Sequence, residues 1–213
     1  MQRRLTTNGI LLEKFALPLK RAGLDRVNIS CDSYFQTPVS LKYVKNILPG
    51  LLAAKSAGLY PIKLNMVVVK ANCSEIESMI EFTSKHNVVL QLIELLYFPS
   101  SDRLSPDSIL YYEDNYFSLA EIEANLAKKA HKIEERKMQA RNQYYFNNTV
   151  VELIRPTHSL FCKNCNKLRV TSDGKIKPCL MRNDNLVEFK DKSSLIEAIS
   201  RRVMHNVSTI HRM

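Results

Sequence analysis

Residues 61–96 read PIKLNMVVVKANCSEIESMIEFTSKHNVVLQLIELL, and this stretch decides the fold class. The near-continuous β run from Pro61 to Lys70 is typical of a strand that is buried on both faces. Ser74-x-x-Glu77 has the form of a capping box and predicts that a helix follows the strand. Val88 to Leu96 is a second apolar run. The stretch is therefore predicted to be a strand–helix–strand unit.

The same alternation precedes this unit. The patterns predict strands at Arg3–Thr7 and Arg26–Cys31 and helices at Glu13–Ala22 and Leu41–Ala57. Strand and helix thus alternate four times with short connections. Such alternation builds an α/β fold with a parallel sheet, either doubly wound or a barrel. Ligands of these folds bind at the carboxyl ends of the strands.

The second half of the chain has a less regular pattern. Pro99 to Tyr116 is polar and aromatic without a clear period, which predicts a long surface loop. Ser118-x-x-Glu121 is a second capping box and predicts a helix that continues to about Lys137. Two strands are expected within Gln143–Pro156, joined by a turn, and a last helix is expected from about Ser194 to Met204.

Residues 161–180, FCKNCNKLRVTSDGKIKPCL, hold three of the five cysteines. Cys162 and Cys165 form a C-x-x-C pair, and Cys179 follows after a predicted turn at residues 172–174. Because Gly174 adopts positive φ without steric cost, this turn can fold a short hairpin that returns Cys179 to the pair. The spacing favours a thiolate-rich metal or cluster site.

The identity of the metal stays open at this point. A structural zinc site needs four ligands, and His158 is the nearest candidate for the fourth. An iron–sulfur cluster accepts three cysteines and leaves one iron open. A disulfide and three inert core cysteines are the remaining alternatives.

Composition limits the class of protein. The chain has 213 residues, of which 45% are hydrophobic and 24% charged, as in ordinary globular proteins. It has no apolar run long enough for a membrane span and no signal-peptide pattern at its start. The odd cysteine count then indicates a reducing, cytoplasmic compartment. The net charge of +10 suits an anionic partner. Scattered basic residues and few aromatic residues argue against nucleic acid as that partner.

Five motifs, taken in order, resemble one family. They are LTTNG (5–9), AGLDRVNISCDS (22–33), IKLNMVVVKANCSEI (62–76), LQLIELL (90–96) and the cysteine stretch (161–180). Together they resemble GTP 3',8-cyclase, the molybdenum-cofactor biosynthesis protein A family of radical S-adenosylmethionine enzymes. The resemblance implies a partial TIM-type β/α barrel at residues 1–98, followed by a cysteine-rich iron–sulfur region of molybdenum cofactor synthesis at residues 99–213.

The resemblance also implies a reaction. In this family one [4Fe–4S] cluster splits S-adenosylmethionine, and the deoxyadenosyl radical removes hydrogen from the ribose C3' of GTP. The C3' radical then attacks C8 of guanine, which gives (8S)-3',8-cyclo-7,8-dihydroguanosine 5'-triphosphate. A second [4Fe–4S] cluster holds GTP through its open iron.

Site residues follow from the same resemblance, position by position. Ligands of the second [4Fe–4S] cluster are predicted at Cys162, Cys165 and Cys179. GTP contacts are predicted at Thr6, Lys63, Lys167, Leu168 and Arg169. Contacts to S-adenosylmethionine are predicted at Ser30 and, through the backbone, at Leu96.

The sequence also departs from the family. The radical-initiating C-x-x-x-C-x-x-C is absent, so no catalytic residue is assigned, and the isolated Cys31 and Cys73 fit buried thiols. Lys167 stands where the family has an arginine, and Gln91 stands where it usually has a basic residue. The first two strands of the family barrel are absent as well, which would leave the Arg3–Thr7 strand at an open edge.

We therefore expect a C-terminal fragment that binds GTP but cannot start the radical reaction alone. Its partners would be GTP, S-adenosylmethionine and either the missing N-terminal segment or a homodimer partner. The alternative is a non-catalytic metal-knuckle module that binds a nucleotide or RNA.

Overall fold

Seven strands hydrogen-bond into one sheet in the computed structural model. The model describes residues 2–36, 42–97, 106–136, 141–146, 148–155, 165, 167–180 and 182–203. The strands are β1 (Arg4–Thr7), β2 (Arg26–Ser30), β3 (Lys63–Val68), β4 (Val89–Glu94), β5 (Lys132–Arg136), β6 (Arg141–Phe146) and β7 (Thr149–Ile154).

The strand order in this sheet is β1-β2-β3-β4-β7-β6-β5. The pairs β1–β2, β2–β3, β3–β4 and β4–β7 are parallel, and β6 is antiparallel to β7. The predicted α/β fold with a mostly parallel sheet is confirmed, and its closure toward a barrel stays a prediction.

Six helices and a small second sheet complete the described chain. The helices are α1 (Leu12–Arg21), α2 (Val44–Ser56), α3 (Ile76–His86), α4 (Pro106–Asn115), α5 (Ala120–Lys129) and α6 (Lys192–Val203). The second sheet is an antiparallel pair of β8 (Arg169–Val170) and β9 (Ile176–Lys177). Within the described ranges, no helix combines the length and apolar character that a membrane span requires.

Helix α2 shows how the first helices cover the sheet. Its residues Ile47, Leu51 and Ala54 recur at helical spacing and are fully buried, so one apolar stripe faces the core. Gly50 on the same helix allows close contact with the turn after β1. A Cβ atom at this position would lie 2.4 Å from the carbonyl oxygen of Gly9. The small residue is therefore required by packing.

The chain divides into two compact units. The first comprises residues 1–95, 115–135 and 141–155 and holds the seven-stranded sheet. The second comprises residues 96–114, 136–140 and 156–213. It has a small core in which Leu168 packs against Ile176, Val187 and Ala198. Strands β5 to β7 of this sheet thus lie beyond residue 98, at which the family resemblance predicts a domain boundary.

Four local predictions are wrong. The loop expected at Pro99–Tyr116 contains α4, whose first residue is Pro106 and whose first turn carries Asp107, both of which favour a helix start. The helix expected to reach Lys137 ends at Lys129, because Ala130 is extended and leads into β5.

The two predicted capping boxes also do not form. Helix α5 has Leu119 rather than Ser118 as its N-cap, without a side-chain hydrogen bond. Helix α3 follows a 3-10 turn at Cys73–Glu75, and its N-cap has no side-chain hydrogen bond. The Glu75 carboxylate instead accepts hydrogen bonds from Ser33 Oγ at 2.8 Å and from Tyr34 N at 2.6 Å. Tertiary contacts with the segment after β2 therefore replace the local cap.

Candidate functional site

The two faces of the seven-stranded sheet differ in chemistry. Successive strand residues point to opposite faces, and one set is apolar and buried, including Ile29, Leu64, Met66, Leu90 and Leu92. The opposite set is mainly polar. We call this second set the polar face, with the members Arg4, Thr6, Arg26, Asn28, Ser30, Lys63, Asn65, Gln91, Arg141, Gln143 and Glu152.

Strand register aligns these residues in two rows. The first row pairs Thr6 with Asn28 and Asn28 with Lys63 across β1, β2 and β3. The second row runs in register from β2 to β6 through Ser30, Asn65, Gln91, Glu152 and Gln143. Three of the predicted ligand contacts, Thr6, Ser30 and Lys63, therefore share one face.

A charged cluster is buried within the polar face, and we call it the Glu152 cluster. Lys63 is only 5% exposed and Glu152 is fully buried. The Glu152 carboxylate accepts hydrogen bonds from Lys63 Nζ and Gln91 Nε2, and from Gln143 Nε2 at 2.7 Å. Arg141 Nη1 lies 3.8 Å from the same carboxylate. Because buried charges are costly unless they are paired, this cluster fixes its members in place.

Two amide oxygens of the polar face lack partners. Asn28 Oδ1 and Asn65 Oδ1 are buried, and no hydrogen-bond partner for them exists among the described residues. Buried acceptors are normally satisfied. These two oxygens can therefore accept hydrogen bonds from a ligand that lies on the polar face.

A second polar network lies at the carboxyl ends of β4 and β7, on the opposite face of the sheet. Arg155 contacts Glu94 at 3.3 Å and Glu123 at 2.9 Å. Burial alone would raise the pKa of Glu123. Hydrogen bonds from Arg155, Tyr144 and Asn142 outweigh it and hold the pKa below its ordinary value. Burial and the hydrogen bond to Glu123 raise the pKa of Tyr144 to about 12.

The hairpin predicted between Cys165 and Cys179 is confirmed as β8 and β9, and the return of Cys179 to the C-x-x-C pair stays a prediction. Thr171 N donates to Lys175 O at 2.9 Å, and Gly174 closes the turn with φ of 85°. Cys165 and Cys179 are both partly exposed. Cys162 and His158 lie outside the described residues. Within the part of the chain that the structure describes, no three side chains of His, Cys, Asp or Glu form a group that could hold a metal ion.

The other predicted site residues belong to the second unit. Leu96 follows β4 and is half-buried. Lys167, Leu168 and Arg169 lead into the hairpin, and Arg169 pairs in register with Lys177. The Leu168 side chain is partly buried and packs against the small core.

Sequence reasoning missed the centre of the cluster. The sequence pattern places Glu152 within a predicted strand and indicates no role for Arg141 or Gln143. One signal was available, because a glutamate inside the apolar run TVVELI of β7 is rarely buried without a partner.

Comparisons with known proteins point to one family. A family model described as Molybdenum Cofactor Synthesis C matches residues 88–208. A protein of Methanothermobacter marburgensis named "Probable GTP 3',8-cyclase" is 42% identical over 215 residues, which cover 93% of this chain and 68% of the relative. Proteins of the same name from Methanocella arvoryzae and Archaeoglobus fulgidus are 42% and 36% identical. The matches cover 62% and 68% of those two relatives.

Proposed function

Because the chain belongs to the GTP 3',8-cyclase family, we propose that it supplies the GTP-binding part of this enzyme in molybdenum cofactor biosynthesis. The product would be (8S)-3',8-cyclo-7,8-dihydroguanosine 5'-triphosphate. The proposal is supported above all by the shared polar face of Thr6, Ser30 and Lys63, the three residues of the first unit for which the family resemblance predicts ligand contacts.

The chemistry of these residues suits the ligands. Thr6 and Lys63 offer a hydroxyl and an ammonium to GTP, and Lys167 and Arg169 of the second unit offer further cations for a triphosphate. Ser30 and the backbone of Leu96 would contact S-adenosylmethionine.

A [4Fe–4S] cluster would be held by Cys162, Cys165 and Cys179. The two of these that the structure describes, Cys165 and Cys179, are partly exposed, which fits ligands of a cluster that also meets a substrate. When bound, the cluster would supply one open iron to the purine of GTP. Lys167, between the cysteines, would add positive charge beside that purine nucleotide.

The residues present do not fit a radical-initiating cluster. The five cysteines are Cys31, Cys73, Cys162, Cys165 and Cys179, and no three of them have the spacing C-x-x-x-C-x-x-C. Cys31 is also fully buried, and burial raises the pKa of its thiol to about 12, which opposes ligation as a thiolate. In this proposal these 213 residues bind GTP but do not cleave S-adenosylmethionine by themselves.

Anaerobic reconstitution of the full chain with iron and sulfide tests the proposal. We expect one [4Fe–4S] cluster per chain and a visible spectrum that shifts when GTP is added. Cys179→Ser should abolish cluster binding, whereas the matched variant Cys73→Ser should retain it. Stoichiometric zinc without any response to GTP would instead support a metal-knuckle module and overturn the proposal.

A further inference from the structure

We propose that Glu152 is a positioning residue, which keeps Lys63 charged and fixed on the polar face so that it can bind the phosphates of GTP. The inference rests on the proposed function, since it is there that Lys63 contacts GTP. None of the family motifs quoted above includes Glu152, and its role follows from the geometry of the Glu152 cluster.

The first argument is burial. Lys63 is 5% exposed, and an ammonium group that is so far removed from water favours its neutral form unless an anion lies beside it. Glu152 is that anion, because its carboxylate accepts a hydrogen bond directly from Lys63 Nζ. A neutral amine would lose most of its attraction for a phosphate.

The second argument is the charge of the surroundings. On the described residues of β1, β2, β3, β4, β6 and β7, the polar face carries the cations Arg4, Arg26 and Arg141 besides Lys63. Glu152 is the one acidic residue on this face of those strands, since Glu94 alternates to the opposite face. Arginine does not lose its proton in proteins. If Glu152 lost its charge, Lys63 would be the group that becomes neutral.

The third argument is that Glu152 itself is held ionised. Gln91 and Gln143 donate amide hydrogens to its two carboxylate oxygens, from the strands on either side of β7. Hydrogen bonds to the charged form of a carboxyl group stabilise that form. Gln91 therefore has a physical role at the position where the family usually has a basic residue, because the cluster already contains the two cations Lys63 and Arg141.

The test compares the GTP dissociation constants of Glu152→Gln and of the unchanged chain by calorimetry, with the reconstituted full chain. The ratio of the two constants removes the titration of GTP itself. We expect the dissociation constant of Glu152→Gln, divided by that of the unchanged chain, to be about ten near pH 8.5. This ratio should fall to about one near pH 6, where Lys63 regains its proton. Glu77→Gln is the matched control, because it removes an exposed carboxylate paired with Lys129, and its ratio should stay near one at both pH values.

A second variant separates charge from structure. In Lys63→Arg/Glu152→Gln the guanidinium stays charged, so the ratio should become independent of pH. A ratio for Glu152→Gln that does not change with pH, whether near one or large, would overturn the inference. If Glu152→Gln does not fold, Glu152→Asp carries the test. It keeps the negative charge, so its ratio should not change with pH, and a ratio that rises with pH would contradict the proposal.

The single variant Lys63→Met distinguishes this inference from the proposed function. If Lys63→Met binds GTP as tightly as the unchanged chain, the assignment of Lys63 to GTP fails, and the role of Glu152 fails with it. If Lys63→Met weakens GTP binding while Glu152→Gln does not, the proposed function survives and only the inference about Glu152 is wrong.

Discussion

The replacement of Glu94 by alanine should strongly destabilise the sheet unit. Glu94 is 3% exposed, and its carboxylate accepts hydrogen bonds from Leu119 N at 2.9 Å, Tyr116 Oη at 3.0 Å and Arg155 Nε at 3.3 Å. These contacts tie the end of β4 to the start of α5 and to the end of β7. Glu94 is therefore the common acceptor of three donor groups from two separate segments.

The expected loss can be worked out contact by contact. The buried N–H of Leu119 would be left without its acceptor, which costs about 1–3 kcal/mol. The Tyr116 hydroxyl would lose a charge-assisted bond worth about 1.5 kcal/mol. Arg155, which keeps Glu123 and is partly exposed, would add at most about 1 kcal/mol. The sum is about 2.5–5.5 kcal/mol, a large part of the ~5–15 kcal/mol that stabilises a typical domain.

Urea unfolding followed by far-UV circular dichroism measures this loss. The midpoint should fall in Glu94→Ala while the slope of the transition stays the same. Glu77→Ala is the control, because Glu77 and Lys129 form an exposed ion pair and the change should cost less than about 1 kcal/mol. A loss below about 1 kcal/mol in Glu94→Ala would refute the assignment of Glu94 as the shared acceptor.

Three further predictions concern single groups. The lowered pKa of Glu123 adds stability that is complete above the ordinary pKa of 4.5. This stability is lost as the pH falls through the pKa of the folded state. Glu123→Gln should therefore flatten the dependence of stability on pH below pH 4.5 in acid unfolding experiments. The thiol of Cys31 should resist alkylation at pH 8 in the folded chain, as peptide mass spectrometry can show, while the half-buried Cys73 reacts faster. Gly50→Ala should destabilise the fold by about 1–3 kcal/mol in thermal unfolding, because its Cβ would clash with the oxygen of Gly9.

Much of the sheet was predictable because its signals are local. The strands β1 to β4 and the helices between them follow from apolar periodicity and glycine stops in the sequence, which depend only on neighbouring residues. Helix α4 was missed because its apolar residues, such as Leu110 and Tyr111, are largely exposed and make no stripe. Pro106 at its first position is a local signal for the start of a helix.

The Glu152 cluster could not be predicted, because its contacts are not local. Lys63 and Gln91 lie 89 and 61 residues from Glu152 along the chain. Nothing in the sequence states that β7 inserts between β4 and β6, and the register of that insertion decides which side chains meet. The family resemblance predicts that Lys63 contacts GTP, but only the sheet topology shows that Glu152 is its counter-ion.

The insertion of β7 beside β4 has a consequence for how the protein is made. β4 ends at Glu94, but the strand that pairs with its outer edge is complete only at Ile154. At about 5–20 residues per second, the ribosome needs roughly 3–12 s to add the intervening chain. Throughout that interval the nascent sheet carries an open parallel edge, and Lys63 has already been synthesised without its carboxylate partner. Folding of the first unit should therefore finish late in translation, and nascent chains stalled before β7 emerges should be the ones that bind chaperones.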